Sequence, residues 1–276
     1  MLIRHIIGLL AAFAVLSVVF WVLQRIWPSI RGQKTLRAGF WTDCVYWLWT
    51  PFVARNITLV ALGLALLPLA ALYGVTLRTL VHGHGVLATQ PLWLQGIEIF
   101  VVGDFLGYWQ HRLFHGGRLW PFHAIHHSST ELDWLSSVRL HPVNDVVGRL
   151  IVAVPLVAAG FNVAIVALYA PFTTFYAIMI HANLNWDYGP FRYVVASPAF
   201  HRWHHTKAEE GLDRNFSGGL PLWDLLFGTF YMPRERQPVA FGVADPVPKG
   251  FIGQMLAPFR GREDAPATPS VLERAA

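Results

Sequence analysis

The 276-residue chain contains one cysteine, Cys44. A single thiol excludes an intrachain disulfide, a cysteine-based zinc site and a cysteine-ligated iron–sulfur cluster. Charge is also scarce, because only 13% of residues are Asp, Glu, Lys or Arg, against about 25% in an ordinary soluble domain. The net charge of +5 is dispersed, with no Lys/Arg-rich run, so it does not mark a nucleic-acid surface. The sequence has no Gly-rich phosphate loop, no dinucleotide fingerprint and no obvious fused haem domain, so nothing in it brings its own nucleotide or redox cofactor. The HExxH pattern of a zinc hydrolase is absent as well, and no internal repeat is evident.

Apolar sequence takes up the remainder. Hydrophobic residues make up 54% of the chain and mean hydropathy is +0.43, values of a multi-span membrane protein. The 12 tryptophans suit aromatic belts at the two bilayer interfaces. Ile6–Val22 reads as an uncleaved transmembrane helix, too long for a signal peptide and stopped by Pro28. Trp41–Phe52 is aromatic and too short to span, so it is expected at the interface or re-entering. Ile57–Leu77 is a second span that tolerates Pro68, and Pro91–Tyr108 is expected to run back across. Val146–Tyr169 and Pro171–Trp186, separated by Ala170, read as a helical hairpin.

Basic residues set the expected orientation. Arg25, Arg31, Lys34, Arg37 and Arg55 lie between the first two spans, and ten of the 21 Lys and Arg residues follow Gly189. Positive loops favour the cytoplasmic side, so both segments are placed there. The chain then divides into an anchor at 1–90, a catalytic region at 91–240 and a tail at 241–276 whose last fifteen or so residues, rich in Ala, Pro and charge, read as disordered.

Three histidine clusters fall on the cytoplasmic side of that topology: His111-x3-His115, His123-x2-His126-His127 and His201-x2-His204-His205. Residues three and four apart share one face of a helix, and imidazole suits iron, zinc, copper and nickel. A lone histidine is usually a hydrogen-bonded polar residue, and a group of them can act as a pH sensor. Eight at ligand spacing exceed what one ion needs and suffice for two. His5, His82 and His84 fall on the opposite face, across roughly 30 Å of hydrocarbon, and are excluded as ligands. Asp104 and Tyr108 share the helical stripe of His111 and His115. Asp104, placed at membrane depth, is expected to accept an imidazole N–H and orient a ligand; the plainer reading is a helix-packing carboxylate.

The chain resembles the fatty acid hydroxylase / sterol desaturase superfamily of integral-membrane di-iron enzymes. The resemblance runs from about Asp104 to Tyr231 and rests on four motifs: Asp104-x3-Tyr108-Trp109-x-His111-Arg112-x2-His115, Phe122-His123-x2-His126-His127-Ser128, Ser197-Pro198-x2-His201-Arg202-Trp203-His204-His205, and Trp223-Asp224-x2-Phe227-Gly228-Thr229-Phe230. It implies an all-α fold, a multi-span membrane bundle with a cytoplasmic helical cap carrying a histidine-rich dimetal site. It implies that the eight cluster histidines bind two iron ions and that His181, in His181-Ala-Asn183, is a ninth ligand. Fatty acid 2-hydroxylases place a further histidine four residues on; this chain has Asn185 there, able to hold a water or ligate weakly. Arg139-x-His141-Pro142 looks more like the sterol-desaturase and alkylglycerol-oxygenase side, with His141 facing substrate or supporting a ligand.

Members of the superfamily use O2 to hydroxylate or desaturate unactivated C–H bonds of lipids. The resemblance therefore implies a sterol, alkylglycerol or fatty-acyl substrate drawn from the bilayer. It also implies two electrons from a separate cytoplasmic donor, a ferredoxin or a cytochrome b5-like protein. Zinc outcompetes ferrous iron at similar sites and is the expected substitute on purification. Two readings from other classes are a histidine-rich metal transporter, which needs ionisable residues through its spans, and a zinc-dependent membrane hydrolase. Short loops suggest a bacterial inner membrane.

Overall fold

Among the described residues, four helical stretches are long and apolar enough to cross a bilayer: Ile3–Ile26, Phe40–Leu72, Pro142–Ala159 and Val163–His181. The computed structural model describes residues 2–74, 76–244 and 246–260; among these, the regular elements are helical and pairing is limited to two isolated β-bridges. The residues 261–276, read as a disordered end, lie outside the described residues.

Helix α1 (Leu2–Ile26) stops just before Trp27-Pro28. Val15, Val18 and Trp21 stand exposed on its outer face, as suits a surface that meets lipid rather than water. Phe13, Leu16, Phe20 and Leu23, three or four residues apart, form its inner stripe, and Phe20 stacks on Trp134 with ring centroids 5.7 Å apart.

The aromatic stretch expected at the interface is instead continuous with the second span. Helix α2 (Phe40–Trp49) passes through a π-helical turn at Thr50–Ala54 into α3 (Arg55–Leu72), a run of 33 residues. Pro51, with no N–H to donate, sits in that wider turn. Helix α3 ends at Leu72, short of Leu77, because Gly74 takes a left-handed φ of 61°. Two short helices, α4 (Leu77–His82) and α5 (Gly85–Ala88), lead to α6 (Leu92–Phe114). The expected span Pro91–Tyr108 lies in α6, which is not among the four apolar stretches; Gln95, Glu98 and Asp104 lower its hydropathy.

Gly116 and Gly117 end that helix, Gly117 with φ 53°, before α7 (Trp120–His127) begins on Pro121. The hairpin is real but turns elsewhere. Helices α8 (Pro142–Ala159) and α9 (Val163–His181) join at Gly160-Phe161-Asn162, and Pro171 lies inside α9. Gly160 supplies a φ of 106°, and the Asn162 side chain caps α9 by accepting from Ala164 N. These two backbone signals override the alanine–proline pair that suggested a break at Ala170.

Helix α8 packs on α3 and α6, and α9 on α6 and α10 (Pro198–His204). Leu66, Ile99, Leu156 and Val157 share one core with Val166 of α9, and Ala199, Phe200 and Trp203 of α10 pack with Ala196, Met232 and Tyr176. Two further short α-helices follow among the described residues, α11 (Leu222–Leu226) and α12 (Phe251–Leu256). Phe251 packs on Tyr46 and Trp49 with centroids 4.9 and 5.2 Å away, and Tyr46 donates to Gln254 Oε1 at 2.9 Å. The first part of the expected tail is thus tied to α2.

Candidate metal centre

Four helices deliver nine histidines to one place. Helix α6 carries His111 and is followed by His115 at its C-cap, α7 carries His123, His126 and His127, α9 ends on His181, and α10 carries His201 and His204 with His205 at its C-cap. Ser197 starts α10 by accepting from Phe200 N at 3.2 Å, with Pro198 in its first turn, so the third cluster is set by a capped helix start.

The nine rings sort into two groups, His111, His115, His123, His127 and His204 in one and His126, His181, His201 and His205 in the other. Within each group the candidate ligand atoms all lie within 4.8 Å of one another. Sequence neighbours are divided: His126 and His127 face different groups, and so do His204 and His205. The groups are nonetheless adjacent, because the His127 and His205 rings stack with centroids 4.2 Å apart.

Every one of the nine presents Nε2 inward. In the five-histidine group His111–His123, His123–His127, His127–His204 and His115–His204 bring Nε2 atoms to 3.0, 3.1, 3.0 and 3.3 Å. In the other, His126–His181, His181–His201 and His201–His205 stand at 3.1, 3.1 and 3.2 Å. A metal–nitrogen bond of about 2.1 Å puts adjacent ligands about 3.0 Å apart at right angles and about 3.4 Å apart at the tetrahedral angle. The observed spacing matches a ligand shell.

The outer ring nitrogens explain that orientation. Nδ1–H of His111 donates to Phe216 O at 2.7 Å, of His181 to Ala177 O at 2.6 Å, of His204 to Arg214 O at 2.8 Å and of His126 to Arg139 O at 3.2 Å. A carbonyl only accepts, so each of these rings carries its proton at Nδ1 and turns a lone pair inward. His123 Nδ1 meets Asn144 Oδ1 at 2.7 Å and His115 Nδ1 meets Asp213 Oδ1 at 3.2 Å. Burial, reinforced by neighbouring imidazoles, pushes His123, His126, His127, His201, His204 and His205 well below the usual histidine range. Neutral rings with lone pairs that face one another at 3 Å repel unless a cation lies between them, and the all-imidazole donor set suits iron or zinc. The residues present fit a pair of such ions.

The nine histidines singled out in the sequence therefore come together, and His5, His82 and His84 belong to neither group. The other four candidates sit elsewhere. Asp104 receives Leu220 N at 2.8 Å and the Trp223 indole at 3.1 Å, so the expected carboxylate–imidazole contact is replaced by one that pins the loop after Phe216. Tyr108 is fully buried and its hydroxyl meets Thr229 Oγ1 and Arg112 Nη1, each at 3.0 Å. Thr229 in turn donates to Asp224, which accepts from Phe216 N and so fixes the residue whose carbonyl holds His111. His141 is the N-cap of α8, its Nδ1 accepting from Val143 N and its Nε2 facing Met255 O. Asn185 is exposed, with its backbone N–H on Trp27 O, while Asn183 is the buried residue of that segment and bonds both backbone groups of Ile30. Sequence reading missed Asn144 and Asp213. Asn144 stands just beyond the Arg139-x-His141-Pro142 motif, but an asparagine in the first turn of a helix carries no spacing signal of its own.

Residues 97–229 match the fatty acid hydroxylase family. Over this region the chain is similar to the fatty acid hydroxylase superfamily. It is 31% identical to ornithine lipid hydroxylase OlsE of Rhizobium tropici over 66% of its own length and 56% of that protein. Human alkylglycerol monooxygenase is 32% identical over 54% of the chain and 33% of its own length, and Arabidopsis thaliana CER1-like 1 is 25% identical over 80% and 36%. The match thus spans little more than half of the first of these relatives and about a third of the other two. No solved structure matches the chain.

Proposed function

We propose that this membrane protein is a di-iron enzyme that uses O2 and two externally supplied electrons to hydroxylate an alkyl C–H bond of a bilayer lipid. The observation that carries the reading is the convergence of nine inward-facing Nε2 atoms in two adjacent groups, one of which includes His181 at the end of α9, a helix long and apolar enough to cross a bilayer. The ornithine lipid hydroxylase and alkylglycerol monooxygenase relatives favour hydroxylation over desaturation and a lipid with a polar head and a long chain.

Bound in these groups, two iron ions would supply oxygen activation and hydrogen-atom abstraction from the alkyl carbon. The chain's own residues do the rest. His111, His115, His123, His127 and His204 hold one ion, and His126, His181, His201 and His205 the other. Phe216 O, Asn144, Asp213, Arg139 O, Ala177 O and Arg214 O hold six of the rings in their metal-binding tautomer. Tyr108, Thr229 and Asp224 position the Phe216 carbonyl. An apolar recess of ≈ 170 Å³ between α6 and α9, lined by Phe100, Phe172, Tyr176, Val195, Gly219 and Leu220, lies where an alkyl chain leaving the bilayer meets the two helices that end in His111, His115 and His181. Residues 1–90 serve as the anchor and 91–240 as the catalytic region. The basic loops support a site on the cytoplasmic face and the short loops a bacterial inner membrane, with a ferredoxin or cytochrome b5-like protein as the electron donor.

The test is metal stoichiometry with Mössbauer spectroscopy on chain produced in iron-supplemented cells, beside a His126→Ala/His204→Ala control that breaks both groups, followed by lipid analysis of a strain lacking the protein. Two coupled irons per chain, absent from the control, and a missing hydroxylated lipid are expected. One iron or none with all nine histidines intact sinks the proposal.

A further inference from the structure

The matched region begins at residue 97, yet a buried ion cluster links residues well before it to the four-histidine group. Arg139 grips Asp43 with two bonds, Nε to Oδ1 at 2.6 Å and Nη2 to Oδ2 at 3.0 Å. Arg37 Nη2 bridges Asp43 Oδ2 at 2.7 Å and Asp133 Oδ1 at 2.5 Å. Arg37, Asp43, Asp133 and Arg139 are each at most 5% exposed. Burial works against the charge of Arg37, but Asp133 and Asp43 outweigh it and hold the guanidinium above its usual range. Arg37 is therefore not a free loop charge of the kind that sets membrane topology.

The backbone at Arg139 has little freedom. Asp133 caps the 3-10 helix Trp134–Val138 by accepting from Leu135 N and Ser136 N, each at 3.0 Å. His141 caps α8 immediately afterwards. Between the end of the 3-10 helix and His141 lie only Arg139 and Leu140, and the Arg139 carbonyl accepts Nδ1–H of His126. Gly39, with φ 80°, makes room for the arginine, since a Cβ there would collide with Arg139 Nη2. A buried ion pair adds little stability over apolar packing of the same volume; what it adds here is direction, because a bidentate arginine–carboxylate fork has one geometry.

We propose that Asp43 is a positioning residue for the four-histidine group: its grip on Arg139 aims the Arg139 carbonyl at His126 Nδ1 and so turns His126 Nε2 into the group. The N-terminal helices are then part of the metal centre's support as well as its anchor. The inference rests on the metal-centre reading above, and the experiment separates the two.

The measurement is zinc affinity of the detergent-solubilised full chain, by competition with a chromogenic chelator, for Asp43→Asn and Asp43→Glu in the native and His126→Ala backgrounds, with circular dichroism to monitor folding. Removing the partner of a ligand typically costs about 10- to 100-fold in metal affinity. Asp43→Asn is expected to weaken one of two zinc sites by that factor and spare the other, with Asp43→Glu restoring part of it. In the His126→Ala background Asp43→Asn should cost nothing further. Equal weakening of both sites, or the same loss with His126 already gone, overturns the positioning role. A native chain that binds fewer than two zinc ions overturns the metal-centre reading instead. If Asp43→Asn fails to fold, Arg139→Lys keeps the charge, loses the fork and is held to the same outcomes.

Discussion

The division of sequence neighbours between the two histidine groups makes a prediction that the sequence alone does not. His127 and His204 belong to the five-histidine group, and His126 and His205 to the four-histidine group. A four-ligand zinc site is worth about 10–16 kcal/mol, so one ligand is worth about 3 kcal/mol, or on the order of 100-fold in affinity. Each single alanine variant should therefore weaken one metal and leave the other. Losing one donor of four should cost more than losing one of five. Double variants sharpen the test. His127→Ala/His204→Ala removes two donors from one group and should retain about one metal per chain, while His126→Ala/His204→Ala strikes both groups and should retain close to none at the same free-metal concentration. Cross-talk should be strongest through the stacked pair, His127 and His205, whose rings lie 4.2 Å apart. Metal analysis after equilibration against a graded chelator series reads all of this. If the same-group and cross-group doubles lose metal equally, the two groups are not independent sites and the reasoning fails.

Three shorter predictions follow. Asn144→Ala leaves the buried Nδ1–H of His123 without its acceptor, so it should weaken metal in the five-histidine group by about tenfold or more while Asn144→Asp keeps it; chelator competition on both variants decides. In the metal-free chain, six histidines whose folded-state pKa is depressed by burial bind fewer protons folded than unfolded. Stability is then fully present above about pH 6.5 and falls on acidification through that value, each ring contributing up to about 1.4 kcal/mol per pH unit; melting temperatures that stay flat from pH 7 to 5 would contradict this. Gly160→Ala forces a side chain onto a residue with φ 106° and against the His84 carbonyl, at a cost of about 2 kcal/mol or more, read as a lower melting temperature with unchanged metal stoichiometry in the folded fraction.

Much of the site was legible because helix periodicity is a local rule. Spacings of three and four put His111 with His115 and His201 with His204 or His205 on common faces before any tertiary structure is known. The rule does not assign residues to one group or the other: His126 and His127 are sent to different groups by about 100° of helix rotation per residue, and His123 and His126, or His201 and His204, are divided although they are three apart. His181 is a single residue with no partner at helical spacing, and it was reached through the family resemblance rather than through pattern. Asp104 shows the limit of stripe arguments. It shares the His111 face, but a carboxylate seven residues before the first ligand lies about two turns away, and there it meets the Leu220 amide and the Trp223 indole. The turn at Gly160 was hidden because Pro171 is the louder signal in sequence, although a proline inside an apolar helix is readily tolerated when neighbouring helices cover the freed carbonyl. Asp43 and Arg37 were invisible as a pair with Arg139 because their partnership spans about a hundred residues.

The charge balance of the site closes the account of why these particular elements meet there. Neither group contains a carboxylate, so two divalent ions would bring positive charge into a buried place lined by neutral rings. The compensation lies in the backbone. His111 and His115 stand at the C-terminal end of α6, His126 and His127 at that of α7, His181 is the last residue of α9, and His204 and His205 close α10. Each of these ends carries the negative pole of its helix, a stabilisation of about 0.3–1 kcal/mol per favourable charge at the surface and up to about 2 kcal/mol where partly buried. Four C-termini aimed at one centre would stabilise cations without surrendering the weak, neutral ligand field that imidazole provides. They also explain the architecture: a helix can end on the site only if its other end is anchored elsewhere. For α9 the anchor is a length of apolar helix suited to the bilayer, and for α7 and α10 it is the packed ends of α6, α8 and α9.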